Sequence, residues 1–456
     1  MDIPDFDKYL SFLDRYSWVY DVNMTRILVE DTLLNIPDEW VEYVSSLSTE
    51  ELGCVPYGEL KDGCPSTLGD FVAEAVELGR PRFEVMRQED DDERISLPPA
   101  IKKGMSEKKQ REVKSLAGLV ARIAEDNKCS AVLDVGSGLG YLAQVLHSNY
   151  GYKVLGIDCE GFHSRRANER LRQSGCSKNV HHYTLKLTED ASSVERMRSL
   201  LRDCPSYEPC PCGEEAEEGE SKYVMVALHA CGRLTPTFLR VFRRLERASA
   251  AVCVGCCYHK VQDEPGALDG YFPLSEAVRG PLERFPRLER GLRGGLRLAC
   301  QGTRERWKGQ TSEDHQSHAR HVFYRALLQL AVEKHDLRWK KSGRRVARKD
   351  RFASFETFLR HVLQDVPCGT DAGRRLLRDL HDRHRHQVAL VEAFTLLQVL
   401  LQPVWETLVV ADRCQWVRQL PGVQLRTAQL SDSGRSPRNL ALVLVKGPPH
   451  MSDWAM

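Results

Sequence analysis

The chain has 456 residues, enough for two or three domains, and its 42% hydrophobic and 28% charged residues describe an ordinary soluble globular protein. Its net charge of +1 hides strong local asymmetry. Fifteen cysteines would suit a secreted disulfide scaffold, but the segment Met1–Asp7 has neither the basic nor the apolar region of a signal peptide. We therefore expect the cysteines to be free thiols in a reducing compartment. The expected location of the protein is the cytoplasm, the nucleus or both.

Residues 1–100 are predicted to form an N-terminal helical region. Apolar residues such as Leu10, Leu13 and Trp18 recur at helical spacing among charged ones. The acidic run 89–93, followed by two prolines, predicts a solvated linker that separates this region from the next.

From Ser106 onward, helices alternate with short apolar strands. Ser106 can cap a helix, and the strands are predicted at 131–135, 153–157, 223–228 and 250–254. This rhythm predicts an α/β, Rossmann-like fold whose mainly parallel sheet has helices on both faces.

Two additions interrupt the predicted core, which comprises 105–259 and 387–447. Residues 204–220 combine Cys204, Cys210 and Cys212 with glutamates and predict an exposed loop, while the Arg-rich segment 260–386 predicts an inserted, largely helical module. The final segment contains an apolar helix and two strands, 424–430 and 440–446, which we expect to return to the sheet as a closing antiparallel hairpin.

The stretch 388–410 is long and apolar enough to span a membrane. It contains Glu392, Gln398 and Pro403, so a buried helix pair is the preferred prediction and no membrane contact is expected.

The first core strand runs into a glycine-rich turn that predicts the cofactor. Asp134 and Ser137 accompany Gly136, Gly138 and Gly140, and the glycines let the backbone turn tightly beside a ligand. A dinucleotide site would place its third small residue at 141, where this chain has Tyr141. The spacing therefore favours S-adenosylmethionine over a dinucleotide.

The second strand ends at Asp158, which is placed to accept hydrogen bonds from the ribose hydroxyls of that cofactor. An acidic residue that contacts the adenine is expected after the third strand, near 181–187. Glu189 and Asp190 are the candidates, and the pattern does not choose between them.

The acceptor side is predicted where the fourth and fifth strands end. His229 and His259 have side chains suited to take a proton near neutral pH, and Tyr258 could orient the acceptor. The alternative for each is a hydrogen-bonded structural residue. Cys231 could act as a nucleophile on a pyrimidine ring, but no Pro-Cys pair accompanies it.

Three Cys or His clusters contain residues that can bind a metal, and we expect that none of them does. They are Cys204, Cys210 and Cys212; Cys253, Cys256 and Cys257; and His381, His384 and His386.

Six segments between about 105 and 446 carry a family likeness: Met105–Val113, Leu228–Gly232, Gly255–Lys260, Phe272–Ser275, Asp412–Arg413 and Ser436–Asn439. Together they resemble the methyltransferase-like protein 25 family. The resemblance implies a class I methyltransferase fold and S-adenosylmethionine as cofactor. The chain departs from the family pattern at Arg233, where an Asp is usual, and at Arg111, where a His is common.

One branch of that family carries a name invoking ribosomal RNA adenine dimethylase. The Asn/Asp-Pro-Pro-aromatic signature of adenine amino methylation is absent from this chain, which argues against that reaction. Residues 256–259 are also similar to the Cys-Cys-His-His stretch of the family that methylates the ribose 2′-hydroxyl in the tRNA acceptor stem. That likeness implies a ribose hydroxyl as acceptor and a part for His259.

RNA is the first predicted substrate, because basic residues within 338–351 and 374–385 could neutralise phosphates. A solvated basic surface or a nuclear targeting run is the alternative explanation of that charge. A protein substrate is the second hypothesis, since the acidic residues 214–220 could attract a basic tail. A non-catalytic, methyltransferase-like scaffold is the third.

Overall fold

In a computed structural model of the chain, the described residues are 4–81, 85–87, 95–174, 178–203, 207–210, 222–262, 270–339, 352–363, 370–430 and 438–447. Several predicted segments lie outside them: the linker 89–93, Cys204, Cys212, the acidic residues 214–220, and all of the basic run 338–351 except its first two residues.

The chain forms two compact units. The sheet unit comprises Pro81–Pro281 and Thr407–Met456 with the first six residues, and the helical unit comprises Asp7–Arg80 and Leu282–Glu406. The N-terminal helices and most of the inserted module therefore belong to one unit, although the sequence suggested two separate regions. The division at 406/407 also differs from the boundary drawn at 386/387.

The sheet unit contains one eight-stranded sheet in the order β1-β7-β8-β6-β5-β2-β3-β4. All neighbours pair in parallel except β8, which is antiparallel to both β6 and β7. The predicted fold and its closing hairpin are thereby confirmed. The strands are β1 (Val85–Arg87), β2 (Ala131–Val135), β3 (Lys153–Asp158), β4 (Val180–Thr184), β5 (Tyr223–Ala230), β6 (Ala248–Gly255), β7 (Val423–Gln429) and β8 (Leu440–Lys446).

Strand β1 lies within the segment 1–100, which was predicted as a helical region and contains this one strand among its described residues. It pairs in parallel with β7 at the edge of the sheet, with Val85 opposite Thr427. A strand of three residues is too short to show the alternation by which strands are recognised in a sequence.

Helices cover both faces of the sheet. The first face carries α6 (Pro99–Lys102), α7 (Glu107–Asp126), α8 (Tyr141–Tyr150) and α9 (Gly161–Ser174). The second carries α10 (Ala191–Arg202), α11 (Leu234–Arg244) and the end of the long final helix, and α12 (Glu276–Leu282) also lies in this unit. Successive strand residues point to opposite faces, so Val224 and Val226 join the first core while Met225 joins the second.

Helix α7 begins at its predicted cap, since the Ser106 hydroxyl accepts a hydrogen bond from the Lys109 backbone N–H at 3.3 Å. Its buried face carries Val113, Leu116 and Val120, and Glu112 lies on that same face. The Glu112 carboxylate thereby lies beside the carboxyl end of β5.

Two segments that carry the family resemblance hold each other in place. The buried carboxylate of Asp412 accepts hydrogen bonds from the backbone N–H groups of Leu274 and Ser275, each at 2.8 Å, and from the Ser275 hydroxyl at 2.7 Å. These bonds fix the motif Phe272–Ser275 to the final helix.

The helical unit packs around large aromatic residues. Trp405 is fully buried, and a Cβ atom at Gly295 would lie 2.0 Å from its ring, so only glycine fits there. The helices are α1 (Phe6–Arg15), α2 (Ser17–Tyr20), α3 (Asp38–Ser46), α4 (Thr49–Cys54), α5 (Ser66–Leu78), α13 (Pro286–Leu298), α14 (Arg304–Lys308), α15 (Ser312–Lys334), α16 (Phe355–Leu363), α17 (Thr370–His384) and α18 (Val388–Arg418), the last of which extends into the sheet unit.

Helix α18 is continuous, so the predicted helix pair is wrong: Pro403 lies inside one helix instead of separating two. One helical stretch in the described residues, Asp371–Arg418, is long and apolar enough to cross a membrane, and 67% of its most apolar window is buried inside the protein. A core helix passes the same test, and the expectation of no membrane contact stays a prediction.

Candidate active site

The glycine turn between β2 and α8 has the backbone that its sequence predicts. Gly136, Gly138 and Gly140 all have positive φ angles, of 72°, 55° and 74°. The N–H groups of Gly136 and Ser137 both donate to the carbonyl of Ile157, which ties the turn to the end of β3. A Cβ atom at Gly138 would meet nothing within 4 Å, so the turn faces open space at this residue.

Asp158 lies where the sequence placed it, at the end of β3 beside the glycine turn. One carboxylate oxygen accepts the Gly138 N–H at 2.9 Å, and the other accepts the Glu160 N–H at 2.9 Å and contacts the His163 ring nitrogen Nδ1 at 3.1 Å. A carboxylate offers about four acceptor positions, so at least one stays available to a ligand hydroxyl.

Asp134 is a buried acid that forms no ion pair among the described residues. Its Oδ2 atom has no hydrogen-bond partner among the described residues. Burial raises the pKa of Asp134 to about 7, an effect that nearby Lys109 opposes and Asp158 reinforces. An unpaired carboxylate beside the glycine turn is suited to a ligand that brings positive charge.

His182 packs against the glycine turn, a contact that the sequence did not indicate. Its Nδ1 lies 3.2 Å from the Ser137 hydroxyl, and a Cβ atom at Gly156 would lie 2.2 Å from the same nitrogen. Burial lowers the pKa of His182 to about 4, so the ring is neutral at physiological pH. Gly140 is equally restricted, because its Cβ atom would lie 2.6 Å from His182 Nε2.

His229 forms a dyad with Glu112, the functional candidate that sequence reasoning missed. His229 Nε2 lies 3.0 Å from Glu112 Oε2, and Lys108 lies 3.6 Å from the other oxygen. The imidazole is 26% exposed, whereas its Nδ1 atom is buried without a partner among the described residues. When Nε2 carries a proton, Glu112 fixes the tautomer and the orientation of the ring.

The backbone of His229 is left-handed, with φ of 61°. Such a conformation is uncommon outside glycine and costs on the order of 1–3 kcal/mol. It marks the point where β5 ends and turns toward Gly232.

The other two predicted acceptor-side residues follow β6. Tyr258 is buried, its ring lies 4.7 Å from the Arg413 guanidinium, and a Cβ atom at Gly255 would lie 2.9 Å from it. This enclosure favours a structural role for Tyr258. His259 lies in the short 3-10 helix Tyr258–Gln262 and is partly exposed. Contact of either residue with an acceptor stays a prediction.

The two candidates for an adenine-binding acid are both used within the protein. Glu189 forms an ion pair with Arg240 at 2.8 Å, and Asp190 caps α10 by accepting the Ser193 N–H at 2.7 Å. Arg233, the departure from the family pattern, stacks 4.9 Å from the Tyr271 ring.

The structure regroups the cysteines. Cys253 was grouped with Cys256 and Cys257, but it is fully buried in the second core, and Cys231 takes its place beside them. Of the first cluster, only Cys210 is described, and its Sγ lies 3.5 Å from His147. His381 stacks on Phe355 at 3.9 Å, and no three-residue ligand set forms around it among the described residues.

Comparison with known proteins agrees with this topology and turn. A family model described as "Methyltransferase domain" matches residues 108–264. The chain is 23% identical over 457 residues to "Probable methyltransferase-like protein 25" of Mus musculus and 22% identical over 460 residues to the Homo sapiens protein of that name. Each alignment covers 75% of this chain and 75% of the relative.

A solved structure of geranyl diphosphate C-methyltransferase from Streptomyces coelicolor A3(2), in complex with Mg²⁺, geranyl diphosphate and S-adenosyl-L-homocysteine, is 14% identical and covers 48% of this chain and 72% of that one. Its TM-score of 0.20 is too low to inform the fold or substrate of this protein. The assignment depends instead on the strand order, the glycine turn and the matched domain. Residues 108–264 thus match a methyltransferase domain, and the chain is similar to methyltransferase-like proteins over three quarters of its length.

Proposed function

We propose that this protein is an S-adenosylmethionine-dependent methyltransferase that acts on RNA, with its cofactor seated on the turn Gly136–Gly140. The observation that carries the cofactor site is the unpaired, buried Asp134 carboxylate beside an open turn. S-adenosylmethionine brings two positive groups, an ammonium and a sulfonium, and thereby matches a buried carboxylate that forms no ion pair among the described residues.

The remaining residues of the turn fit the rest of the cofactor. Gly140 precedes the first turn of α8, whose first N–H groups lack intrahelical partners. This helix N-terminus therefore favours the carboxylate of the cofactor. Asp158 keeps acceptor capacity for a ribose hydroxyl. When bound, the cofactor supplies an electrophilic methyl group on sulfur, and the chain's own residues hold and orient the reactants.

Cofactor affinity is expected to rise with pH between 6 and 8. Below its pKa of about 7, Asp134 is neutral and loses its attraction for the ammonium group; above it, the carboxylate is ionised. For full linkage, the Kd for S-adenosylhomocysteine at pH 6 is roughly tenfold larger than at pH 8. Isothermal titration calorimetry at several pH values measures this slope.

Asp134→Asn is the control for that pH profile. The amide does not ionise, so the variant should bind weakly and its affinity should not change with pH. An equal slope in the variant and the wild type would assign the pH dependence to another group.

On the acceptor side, the His229–Glu112 dyad supports the proposal. Methyl transfer is an in-line displacement, in which the protein orients the nucleophile and accommodates its proton. The dyad offers an imidazole and a carboxylate as one coupled unit at the carboxyl end of β5. We propose that this unit receives the acceptor's proton.

Exposed arginines support RNA as the acceptor. Arg375 and Arg385 are exposed and have no carboxylate within ion-pair distance among the described residues. Arg378 and Arg383 are paired with Glu356 and Asp379, so the basic surface on and beside α17 is smaller than the sequence suggested. The acidic residues 214–220, which motivate the alternative of a protein substrate, lie outside the described ranges.

Labelling with a tritiated cofactor tests the proposed substrate. Extract from cells that lack this protein is incubated with the purified wild type, and we expect label in material that nuclease removes and protease spares. Label that protease removes would favour a protein acceptor and overturn the RNA proposal. A His229→Ala protein identifies label that depends on the dyad.

A further inference from the structure

Three cysteine thiols converge at the carboxyl ends of two neighbouring strands. The Sγ atoms of Cys231, Cys256 and Cys257 all lie within 4.8 Å of one another, and those of Cys256 and Cys257 are 3.7 Å apart. Among the described residues, this is the one set of three Cys, His or acidic side chains whose ligand atoms come together.

The backbone holds this cluster together. Cys231 follows β5 and the Cys256–Cys257 pair follows β6, and these strands are parallel neighbours. The Cys256 N–H donates to the Ala230 carbonyl at 3.3 Å, and the Gly232 N–H donates to the Cys257 carbonyl at 3.1 Å. Two backbone hydrogen bonds therefore join the turn after β5 to the turn after β6.

Gly232 allows this close approach. Its φ is 53°, and a Cβ atom there would lie 2.7 Å from the Cβ and 2.8 Å from the carbonyl oxygen of Lys260. A side chain at this position would separate the turn that carries Cys231 from the turn that carries Cys256 and Cys257.

We propose that Cys231, Cys256 and Cys257 bind one zinc-like divalent cation through three thiolates, with its fourth position taken by water or an exogenous ligand. Zinc–sulfur bonds of about 2.3 Å in a tetrahedral arrangement place two sulfur atoms about 3.8 Å apart. The Cys256–Cys257 separation already matches that edge, and the third thiol needs only a small side-chain adjustment. Because all three sulfur atoms bind as thiolates, any protons still on them are released to solvent when the metal binds.

The surroundings suit such a site in charge and access. Three thiolates and a divalent cation leave one negative charge, and the ammonium groups of Lys109 and Lys260 lie close enough to interact electrostatically with the cluster. All three cysteines are partly exposed, which gives a metal ion a path from solvent. By contrast, Cys253 and Cys414 are buried thiols that pack as small apolar side chains.

This proposal reverses the sequence-based expectation that the cysteines bind no metal. It does not depend on the identity of the methyl acceptor or on catalysis, because the ligand set is complete within the chain.

Cobalt titration of the full-length, reduced protein tests the site. We expect one equivalent of Co²⁺ to produce thiolate-to-cobalt charge-transfer absorption, and one equivalent of Zn²⁺ to abolish it. Replacing any of Cys231, Cys256 or Cys257 by Ser should weaken Co²⁺ binding by about 100-fold or more, because each substitution removes a direct ligand. Cys159→Ser, an exposed thiol outside the cluster, is the matched control and should bind as the wild type does.

Elemental analysis of protein purified from zinc-supplemented cells gives a second measurement. One zinc ion per chain in the wild type and in Cys159→Ser, lost in the three cluster variants, would support the site. The proposal is overturned if reduced wild-type protein shows no charge-transfer band with Co²⁺, or if metal persists when all three cysteines are serines. A wild-type result does not depend on whether a variant folds.

Discussion

Gly138→Asp is expected to weaken binding of S-adenosylhomocysteine by about 100-fold or more. Gly138 has φ of 55°, and its missing side chain faces the open space where the cofactor is proposed to bind. An aspartate there would fill that space and would place a second carboxylate beside Asp158, whose Oδ2 already accepts the Gly138 N–H. Calorimetric titration of the folded variant measures the loss.

Gly422→Asp is the matched control for this substitution. Gly422 also has a positive φ, of 68°, and a Cβ atom there would also meet nothing within 4 Å. It lies in the same unit but just before β7, away from the carboxyl ends of the parallel strands. Both variants therefore carry a similar backbone strain and the same new charge. Equal loss of binding in both would show that strain and charge alone explain the effect, and would remove the turn from the cofactor site.

The second large effect is expected at the dyad. His229→Ala and Glu112→Gln should each lower the turnover of labelled acceptor by about 100-fold, the lower range for a positioned proton acceptor. Neither side chain belongs to the proposed cofactor site, so the Kd for S-adenosylhomocysteine should change less than threefold. The two measurements together distinguish loss of chemistry from loss of fold.

Glu107→Gln controls for the charge change on α7. Glu107 is an exposed acid of the same helix, one and a half turns from the dyad, and its substitution should leave turnover unchanged. Since His229 and Glu112 act as one unit, the double variant should lose scarcely more than either single variant. Additive losses, or full turnover in either single variant, would contradict a shared role.

The cofactor turn could be predicted from the sequence because its signals are local. Strand, Asp134, three glycines and helix follow one another within a few residues, and each has a direct backbone reason. Asp158 could be predicted in the same way, because it ends the next strand of the sheet. The closing hairpin was predictable for a related reason, since two apolar strands at the end of the chain need partners in a sheet.

Glu112 was missed because it lies far along the chain from its partner. No local pattern joins a residue on α7 to the end of β5, and only the fold brings them to 3.0 Å. One signal was present, however: Lys109 and Glu112 fall on the same helical face as Val113 and Leu116. Charged residues on an otherwise apolar face need partners, and that requirement points to a site.

The sequence grouped Cys253 with Cys256 and Cys257, and the strand pattern explains why this grouping is wrong. Cys253 lies within β6 and faces the core, whereas Cys256 and Cys257 follow the end of β6 and lie in the turn beyond it. Proximity in sequence favoured the wrong trio. Parallel pairing of β5 and β6, which places their carboxyl ends together, identifies Cys231 as the third member.

The position of β8 has a consequence for how the protein is made. Strand β6 ends at Gly255, and the strand that covers its open edge begins only at Leu440. At 5–20 residues per second, a ribosome needs roughly ten to forty seconds to synthesise the intervening chain. During that time the hydrogen-bonding groups along Ala250–Val254 have no partner strand, and such an edge pairs readily with other chains. A nascent chain, or a fragment that stops before residue 440, is thus expected to need chaperones, because the sheet is completed only once β8, Leu440–Lys446, has been translated.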